Sequence, residues 1–219
     1  IMRAIKKFAI ALTMMAGIAS SASAQYYQIA NQAANMISSI FTAGATYRGF
    51  FHTGFTRGMG NYEANVLEFT TTQGAQFTNW FYMGIGAGVD VMFTKGNNDF
   101  NPSDRWPDQS FTSQGVMIPL YSDFRFNIGD NSKPSFFADL RIGAAFLVGK
   151  DYIRINDGYI GQSECFYLRP TVGVRLPVSK SNPKLAVNLG LSYQLITTEY
   201  WGGRNIALNS LGLTAGFEW

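Results

Sequence analysis

The sequence is poor in the residues that build most catalytic and metal sites. Its 219 residues include one cysteine, Cys165, and one histidine, His52. A single cysteine can form neither an internal disulfide nor a cysteine-rich metal cluster, and His52 lacks partner ligands at metal spacing. We therefore expect Cys165 to be an ordinary small residue in a strand. We also expect no cofactor and no metal ion.

Charge is scarce as well, at 14% of residues, with a formal net charge of +3. Residues 1–24 are typical of a secretory signal peptide, with a basic start, an apolar run too short to span a bilayer and a small-residue cleavage site at 22–24. Its removal takes away Arg3, Lys6 and Lys7 and leaves a neutral chain. A neutral chain without a basic cluster lacks the surface that nucleic acids require, so this class of partner is not expected.

Helical periodicity is found only in residues 25–44. Apolar residues recur there at helical spacing between Asn and Gln, and they are Ile29, Ala33, Met36, Ile37, Ile40 and Phe41. This pattern predicts a short periplasmic helix or leader. Residues 45–219 then form the single remaining domain.

Period two dominates the rest of the chain. In the stretch "YMGIGAGVDVMF", residues 82–93, every second residue from Met83 onward is apolar, while mainly glycine and aspartate lie between. Seven other segments share the alternation, which predicts an all-β, antiparallel architecture. The eight segments are residues 47–56, 65–73, 80–94, 116–128, 136–149, 166–178, 185–197 and 206–219.

The connections between these segments alternate in length. Three are tight and rich in Asn, Ser, Gly and Pro (75–79, 129–134 and 179–183), and three on the other side are longer (95–113, 152–162 and 198–204). Only the first connection on the long side, 58–61, is short. Aromatic residues gather near the segment ends, as girdles at membrane interfaces do. An even strand number with short turns at one rim predicts an eight-stranded, up-and-down transmembrane β-barrel in an outer membrane. Its termini would be periplasmic and its long loops extracellular.

The face opposite the apolar one carries balanced charge. An eight-stranded lumen is about wide enough to be filled by side chains, and unpaired charges inside it would be costly. We therefore predict a lumen plugged by ion pairs, in which Gly84, Gly86 and Gly88 leave room for arginines of neighbouring strands. The predicted network comprises Arg48, Arg125, Arg141, Arg169 and Arg175 with Glu68, Asp90, Asp123, Asp139 and Glu218.

Other chemistries fit the pattern less well. Glycines 84, 86 and 88 are spaced GxGxG rather than GxGxxG, and no helix pattern follows, which disfavours a dinucleotide site. Inward carboxylates could form acid and base pairs for glycoside cleavage, but each is expected to meet an arginine. His52 with a serine and an acid could serve a lipid deacylase, but a lipid ester would not easily reach it inside the barrel.

The longest connection is the best candidate for a recognition surface. Residues 95–114 combine aromatic and charged side chains suited to a sugar, a host protein or a neighbouring barrel, and a merely solvated loop is the alternative. The candidate residues are Phe100, Asp104, Arg105, Trp106 and Phe111. The acids of this loop are not at EF-hand spacing.

The order of the strand sequences resembles a known group. "YRGFFHTGF", "PLYSDFRFNIGDNSKPSFFADLRIGAAF", "FYLRPTVGVRL" and "VNLGLSYQL" are similar to small outer-membrane barrel proteins of the Bacteroidota, over residues 45–219. The resemblance implies an architecture like that of the OmpA transmembrane domain and OmpX, and no particular activity. The ending "GLTAGFEW" is similar to the signal read by the barrel-assembly machinery, with Phe217 and Trp219 as its aromatic pair and Thr214 where a glycine is usual.

We therefore predict a non-enzymatic protein embedded in the outer-membrane lipid bilayer, with a structural or surface-interaction role and a plugged lumen. One alternative is a narrow channel or a conduit for small hydrophobic ligands. A second is a lipid-modifying enzyme. A third is an accessory subunit of a larger envelope complex, docked through the helix or the loops.

Overall fold

The computed structural model describes residues 44–60, 63–97, 110–155, 158–161, 164–179, 181–200 and 204–219. The predicted signal peptide and nearly all of the predicted leader helix lie outside the described residues, as do residues 98–109 of the predicted recognition loop. Within the described ranges, no helix is long and apolar enough to cross a membrane.

The described residues form ten strands, and eight of them close into one antiparallel barrel. Around the barrel the order is β1-β2-β3-β4-β5-β8-β9-β10, while β6 and β7 pair separately as a hairpin. The predicted eight-stranded, antiparallel, all-β barrel is confirmed. The strands are β1 Thr46–Met59, β2 Ala64–Gln76, β3 Phe81–Asn97, β4 Ser110–Ile128, β5 Ser135–Val148, β6 Tyr152–Ile155, β7 Gly158–Gly161, β8 Cys165–Pro177, β9 Ala186–Tyr200 and β10 Arg204–Glu218.

The register of the pairs fixes the width of the barrel. A path of paired residues that leaves β1 at Gly49 returns to β1 at Met59, ten residues further along the strand. With ordinary strand spacing, this stagger tilts the strands by about 40° to the barrel axis. The interior is therefore a narrow tube that side chains can fill. The path runs through Gln73, Ile85, Ser122, Ile142, Leu168, Leu195 and Asn209.

The seam of the barrel lies between β1 and β10. Gly49 and Trp219 exchange backbone hydrogen bonds, each with an N···O distance of 3.0 Å. A Cβ atom on Gly49 would lie 2.4 Å from the indole of Trp219, so the ring packs directly over this glycine. The ring of Phe217 stacks beside it, with the two centroids 6.3 Å apart. Both predicted assembly-signal aromatics thus lie at the strand that closes the barrel.

The two faces of the barrel wall invert the usual order of a soluble protein. Large apolar side chains point outward, and Leu213 on β10 is 70% exposed. Charged side chains point inward, and Arg125 on β4 is 0% exposed. A continuous apolar outer wall around a charged interior is what a barrel surrounded by hydrocarbon requires. The most exposed apolar residues also include Phe136, Ile128, Val172 and Trp80.

The structure corrects three details of the sequence analysis. The connection predicted as long at 198–204 is reduced to residues 201–203, because β9 continues to Tyr200 and β10 begins at Arg204. Residues 152–162, predicted as a loop, contain the β6–β7 hairpin, because two four-residue strands are too short for their alternation to stand out. Strands β3 and β4 also extend into the predicted loop at 95–113, to Asn97 and from Ser110. Phe111 of the predicted recognition set therefore belongs to a strand.

The inward glycines of β3 do not make room for arginines. A Cβ atom at Gly84 would meet the hydroxyl of Tyr82, and one at Gly86 would lie 2.4 Å from the ring of Tyr121. At Gly88 the nearest atom is Thr70 Cγ2. Tyr82, Tyr121 and Thr70, and not arginines, are the side chains nearest to these three glycines, so that prediction was wrong.

Candidate functional site

The lumen has two layers. We call the rim that carries the connections 77–80, 129–134 and 178–185 the turn end, and the opposite rim the loop end. Charged residues fill the turn end and the middle, and an apolar cluster fills the loop end. The structure places all ten predicted network residues in the charged layer, each less than a tenth exposed.

Arg175 lies inside the barrel at the turn end. Its Nε lies 2.8 Å from Glu218 Oε2, and Arg48 forms a second ion pair with Glu218. The guanidinium of Arg175 also donates to two backbone carbonyls of the turns, that of Asn131 at 2.6 Å and that of Pro183 at 2.5 Å. One side chain therefore ties a carboxylate of β10 to two connections, and each of its three side-chain nitrogens donates at least one hydrogen bond.

Arg125 occupies the next level. Its Nη1 lies 3.9 Å from Asp139 Oδ2, and its Nη2 donates to Asn188 Oδ1 at 2.5 Å. Its guanidinium carbon lies 3.8 Å from the ring centroid of Phe137 and 4.8 Å from that of Phe50. Stacking on aromatic faces compensates a buried guanidinium whose ion pair is long.

Arg141 and Arg169 share Glu68 in the middle of the lumen. Arg169 Nη1 lies 2.8 Å from Glu68 Oε2, and Arg141 Nη1 lies 3.8 Å from Oε1. Arg141 also reaches Asp139 at 3.5 Å and Asp123 at 4.0 Å. These two arginines therefore connect carboxylates of β2, β4 and β5 into one network.

Asp90 differs from the other carboxylates. It pairs directly opposite Glu68 in the register of β2 and β3, so two acids face each other on neighbouring strands. Among the ion pairs of the described residues Asp90 takes no part, and it accepts a hydrogen bond from Gln194 Nε2 at 3.0 Å instead. Gln194 in turn accepts from Arg169 Nη1 at 2.7 Å. The expectation that each inward acid meets an arginine was thus wrong for Asp90, whose contact is relayed by an amide.

His52 points into the charged layer and is 2% exposed. Its ring stacks on Phe50 with a centroid distance of 5.8 Å and an angle of 8°. Within the described part of the chain, neither ring nitrogen has a hydrogen-bond partner. A general base needs a nucleophile and an orienting acid within hydrogen-bond reach, and this arrangement supplies neither.

The described residues also contain no group of three or more His, Cys, Asp or Glu side chains that could hold a metal ion. Cys165 is buried among apolar neighbours and forms no disulfide with another described residue. The charged layer therefore consists mainly of arginine and carboxylate side chains whose charges neutralise one another.

The apolar layer at the loop end was missed by the sequence analysis. Two of its members, Ile153 and Ile155, come from the hairpin strand β6 and are 0% and 1% exposed. They pack against the inward side chains of the barrel near its rim. The cluster comprises Ala64, Val66, Met92, Met117, Tyr121, Ala145, Leu147, Ile153, Ile155, Cys165, Tyr167, Ile196, Ile206 and Leu208.

The hairpin packs against the barrel wall at Gly115 on β4. A Cβ atom there would lie 2.4 Å from Ile153 Cδ1, so only glycine leaves space for the isoleucine. The hairpin backbone is also held to the barrel wall, because Thr94 Oγ1 donates to Arg154 O at 2.5 Å and Arg154 N donates to Ser113 Oγ at 3.3 Å. The hairpin therefore packs against the inner wall at the loop end.

A signal for the apolar layer was present in the sequence. If the inward register of β3 is followed past Asp90, Met92 comes next, and on β4 the inward series runs from Asp123 back to Tyr121 and Met117. On β5 the series beyond Arg141 leads to Ala145 and Leu147. The inward face changes from charged to apolar toward the same rim on several strands.

The predicted recognition residues Phe100, Asp104, Arg105 and Trp106 lie outside the described residues. Phe111 lies in β4, with its side chain undescribed.

Comparison with solved structures finds similar chains. The crystal structure of Neisserial surface protein A matches with a TM-score of 0.55 at 12% sequence identity, over 80% of this chain and 97% of that chain. The N-terminal β-barrel domain of Pseudomonas aeruginosa OprF matches with a TM-score of 0.44 at 10% identity, over 80% of this chain and 99% of that one. No protein-family model and no curated protein matches the sequence. The likeness to the neisserial protein shows a shared fold.

Proposed function

We propose that this chain is an integral outer-membrane barrel with a sealed lumen, acting as a structural or surface-interaction protein and not as an enzyme. The observation that carries the proposal is the inverted wall, apolar outside and charged inside. In water, an apolar surface that encircles the whole barrel would aggregate, whereas hydrocarbon stabilises it. The resemblance to Bacteroidota proteins in particular stays a prediction.

The orientation follows from the connections. The turn end would face the periplasm, and the loop end, with the β6–β7 hairpin, would face outward. Phe217 and Trp219 would be read by the barrel-assembly machinery before they close the seam. Residues 95–114 and the leader at 25–44 remain the candidate surfaces for a partner or an envelope complex, which capture from native outer membranes with and without residues 25–44 would test.

The sealed lumen is supported by its two closures. At the turn end Arg175 bonds to Glu218 and to two turn carbonyls. At the loop end Ile153 and Ile155 fill the apolar layer. Between them the charged residues neutralise one another, so ions would have to break paired groups to pass.

The proposal is tested in two steps. The detergent-folded protein should migrate differently on a gel before and after boiling, since a closed barrel resists the detergent of the gel. In planar bilayers, single-channel conductance recordings of the protein should show no steady channel openings. A chain that stays soluble without detergent would overturn the membrane barrel, and steady openings would overturn only the seal.

A narrow channel or a conduit for apolar ligands is the second candidate. It is favoured by the apolar layer, whose loop-end closure depends on one small hairpin. Openings seen only after the hairpin is displaced would support this reading. Lipid modification is tested by His52→Ala, which should leave lipid composition unchanged.

A further inference from the structure

Arg57 is a charged residue at the edge of the apolar outer wall. It is exposed on the outward face of β1, between Phe55 and Met59, which are 51% and 40% exposed on the same face. No ion pair between described residues includes its guanidinium, and the exposed Glu63 just before β2 takes part in none either. A cation on a wall that faces hydrocarbon needs a counter-charge from its surroundings.

The height of Arg57 along the barrel axis matches a membrane interface. Tyr47, which is 49% exposed on the same face of β1, lies ten residues away toward the turn end. Ten residues at about 3.3 Å each, tilted by about 40°, span roughly 25 Å along the axis, which is the usual height of the apolar band of such a barrel. A tyrosine at one edge of the band and an arginine at the other fit the two levels of lipid head groups. In the proposed orientation, Arg57 lies at the depth of the outer-leaflet head groups.

Two asparagines flank Arg57 on the neighbouring strands. The register of β1 with β10 pairs Arg57 with Leu211, and Asn209 lies two residues further along β10 on the same face. The register of β1 with β2 brings Asn65 opposite Arg57, one step beyond the last paired residues of these strands. Three polar side chains from β2, β1 and β10 therefore lie side by side on the outer wall.

The carbonyl oxygen of each asparagine side chain is already engaged. Gly58 N donates to Asn65 Oδ1 at 3.1 Å, and the hydroxyl of Tyr193 donates to Asn209 Oδ1 at 2.5 Å. These bonds fix which end of each amide is the acceptor, so each amide has its N–H groups left to donate. With the guanidinium of Arg57, the group presents hydrogen-bond donors and one positive charge. Such a group favours an anion, and the planar fork of arginine matches two oxygens of a phosphate.

The wall below these donors, toward the turn end, is apolar. Leu213 on β10 is 70% exposed and pairs with Phe55 on β1. On its other side Leu213 pairs with Leu191 on β9, which is 46% exposed. An anion bound at Arg57 thus lies where apolar chains attached to it can run down the outer wall.

We propose that Arg57, Asn65 and Asn209 bind the phosphate-bearing head group of an outer-leaflet lipid. The acyl chains of this lipid lie along Phe55 and Leu213. The proposal rests on the proposed function, because it needs the wall to lie in a bilayer. It goes beyond that function by naming a ligand class and a site. Free inorganic phosphate would share the contacts to the three donors but lack the contacts to the wall.

The test uses the full folded protein in detergent and native mass spectrometry. The probes are a short-chain phosphatidic acid, the diacylglycerol with the same chains, and inorganic phosphate. The unchanged protein should bind phosphatidic acid at least about tenfold more tightly than diacylglycerol, because charge-assisted hydrogen bonds are strong. Arg57→Gln should lose this preference, and Arg57→Lys, which keeps the charge but not the fork, should retain only part of it. Asn65→Asp keeps the acceptor for Gly58 N but replaces the donors with a carboxylate, so it should also lose the preference.

Two matched controls lie at the turn end. Lys133→Gln removes an exposed cation there, and Asn182→Asp adds a carboxylate while keeping the acceptor for Lys184 N. Both should keep the preference for phosphatidic acid. Equal binding of the two lipids by the unchanged protein, an unchanged preference in Arg57→Gln, or the same loss in the controls would overturn the site. Displacement of the lipid by inorganic phosphate at equal concentration would overturn the role of the acyl chains.

A gel measurement separates failure of this site from failure of the proposed function. All variants and the unchanged protein are first checked for a boiling-dependent gel shift. Its absence in the unchanged protein would overturn the membrane barrel, and the site with it. A normal shift together with equal binding of the two lipids would overturn the site alone.

Discussion

Arg175 on β8 and Glu218 on β10 meet across the strand that separates them, with Nε 2.8 Å from Oε2. Arg48 reaches the same carboxylate from β1 on the far side of the seam. Glu218 is thus the common anion for cations on both sides of β10. This carboxylate joins the closing strand to its surroundings through side chains, in addition to the backbone ladder.

Replacing Arg175 with Met should destabilise the folded barrel strongly. The change keeps much of the apolar stem but removes the donors to Glu218, Asn131 and Pro183. Loss of one partner of a buried pair costs on the order of 3–5 kcal/mol. The urea concentration at which the folded gel band is lost should fall. Arg57→Met, at an exposed site on β1, should leave the midpoint nearly unchanged, and equal midpoints for both variants would contradict the role of Arg175.

Two inward aspartates should respond differently to neutralisation. Asp139 lies 3.5 Å from Arg141 Nε and 3.9 Å from Arg125 Nη1, so Asp139→Asn should lower stability by on the order of 3 kcal/mol. Asp90 faces Glu68 instead, and Asp90→Asn should stay within about 1 kcal/mol of the unchanged protein or exceed it, since like charges opposite one another are unfavourable. Urea midpoints of the two variants give the comparison. The reverse order of stability would refute the network as described.

Gly115→Val should displace the hairpin without opening the barrel. The new side chain would overlap Ile153, and the nearest barrel atom, Leu147 Cδ1, is a flexible side-chain end at 3.2 Å from the added Cβ. Trypsin should then cleave after Arg154 in unboiled protein several times faster than in the unchanged protein. Gly84→Val, which meets the hydroxyl of Tyr82 in the charged layer, is the matched control and should not expose Arg154. Equal cleavage in both variants would argue against Gly115 as the position that holds Ile153 and the hairpin in place.

Gly49→Leu should weaken the seam. Its Cβ would lie 2.4 Å from the Trp219 ring, which must then leave the wall. The fraction of protein that reaches the heat-modifiable form should fall. Thr53→Leu places the same side chain on the same face of β1, four residues further along, and should fold like the unchanged protein. A normal folded fraction for Gly49→Leu would show that Trp219 is dispensable for closure.

The fold followed from the sequence because one physical rule acts along the whole barrel. A strand with lipid on one side must alternate over its full length, so segments such as 116–128 and 185–197 carry a long, regular signal. The same rule assigned Arg125, Arg141 and Arg169 to the interior. Strand ends were less well predicted, since β3 and β4 continue beyond the membrane-length pattern to Asn97 and from Ser110.

The details of the site could not be predicted because they depend on distances between strands. Alternation gives the face of Asp90 but not its register opposite Glu68, which makes Gln194 its partner. The inward glycines 84 and 86 signalled close packing, but the partners, Tyr82 and Tyr121, depend on side-chain direction. The hairpin was missed because Ile153 and Ile155 are buried by the apolar side chains at the loop end of the barrel. No periodicity in residues 152–162 themselves indicates that burial.

The closed seam has a consequence for the order of folding. Arg48 and Glu218 are separated by 170 residues along the chain, so the contact that completes the cylinder is among the most distant in sequence. Contacts of such separation form slowly, because the intervening chain must give up its freedom first. Neighbouring hairpins can assemble early, while the sheet keeps two unpaired edge strands until its two ends meet, and unpaired edges favour aggregation during that interval.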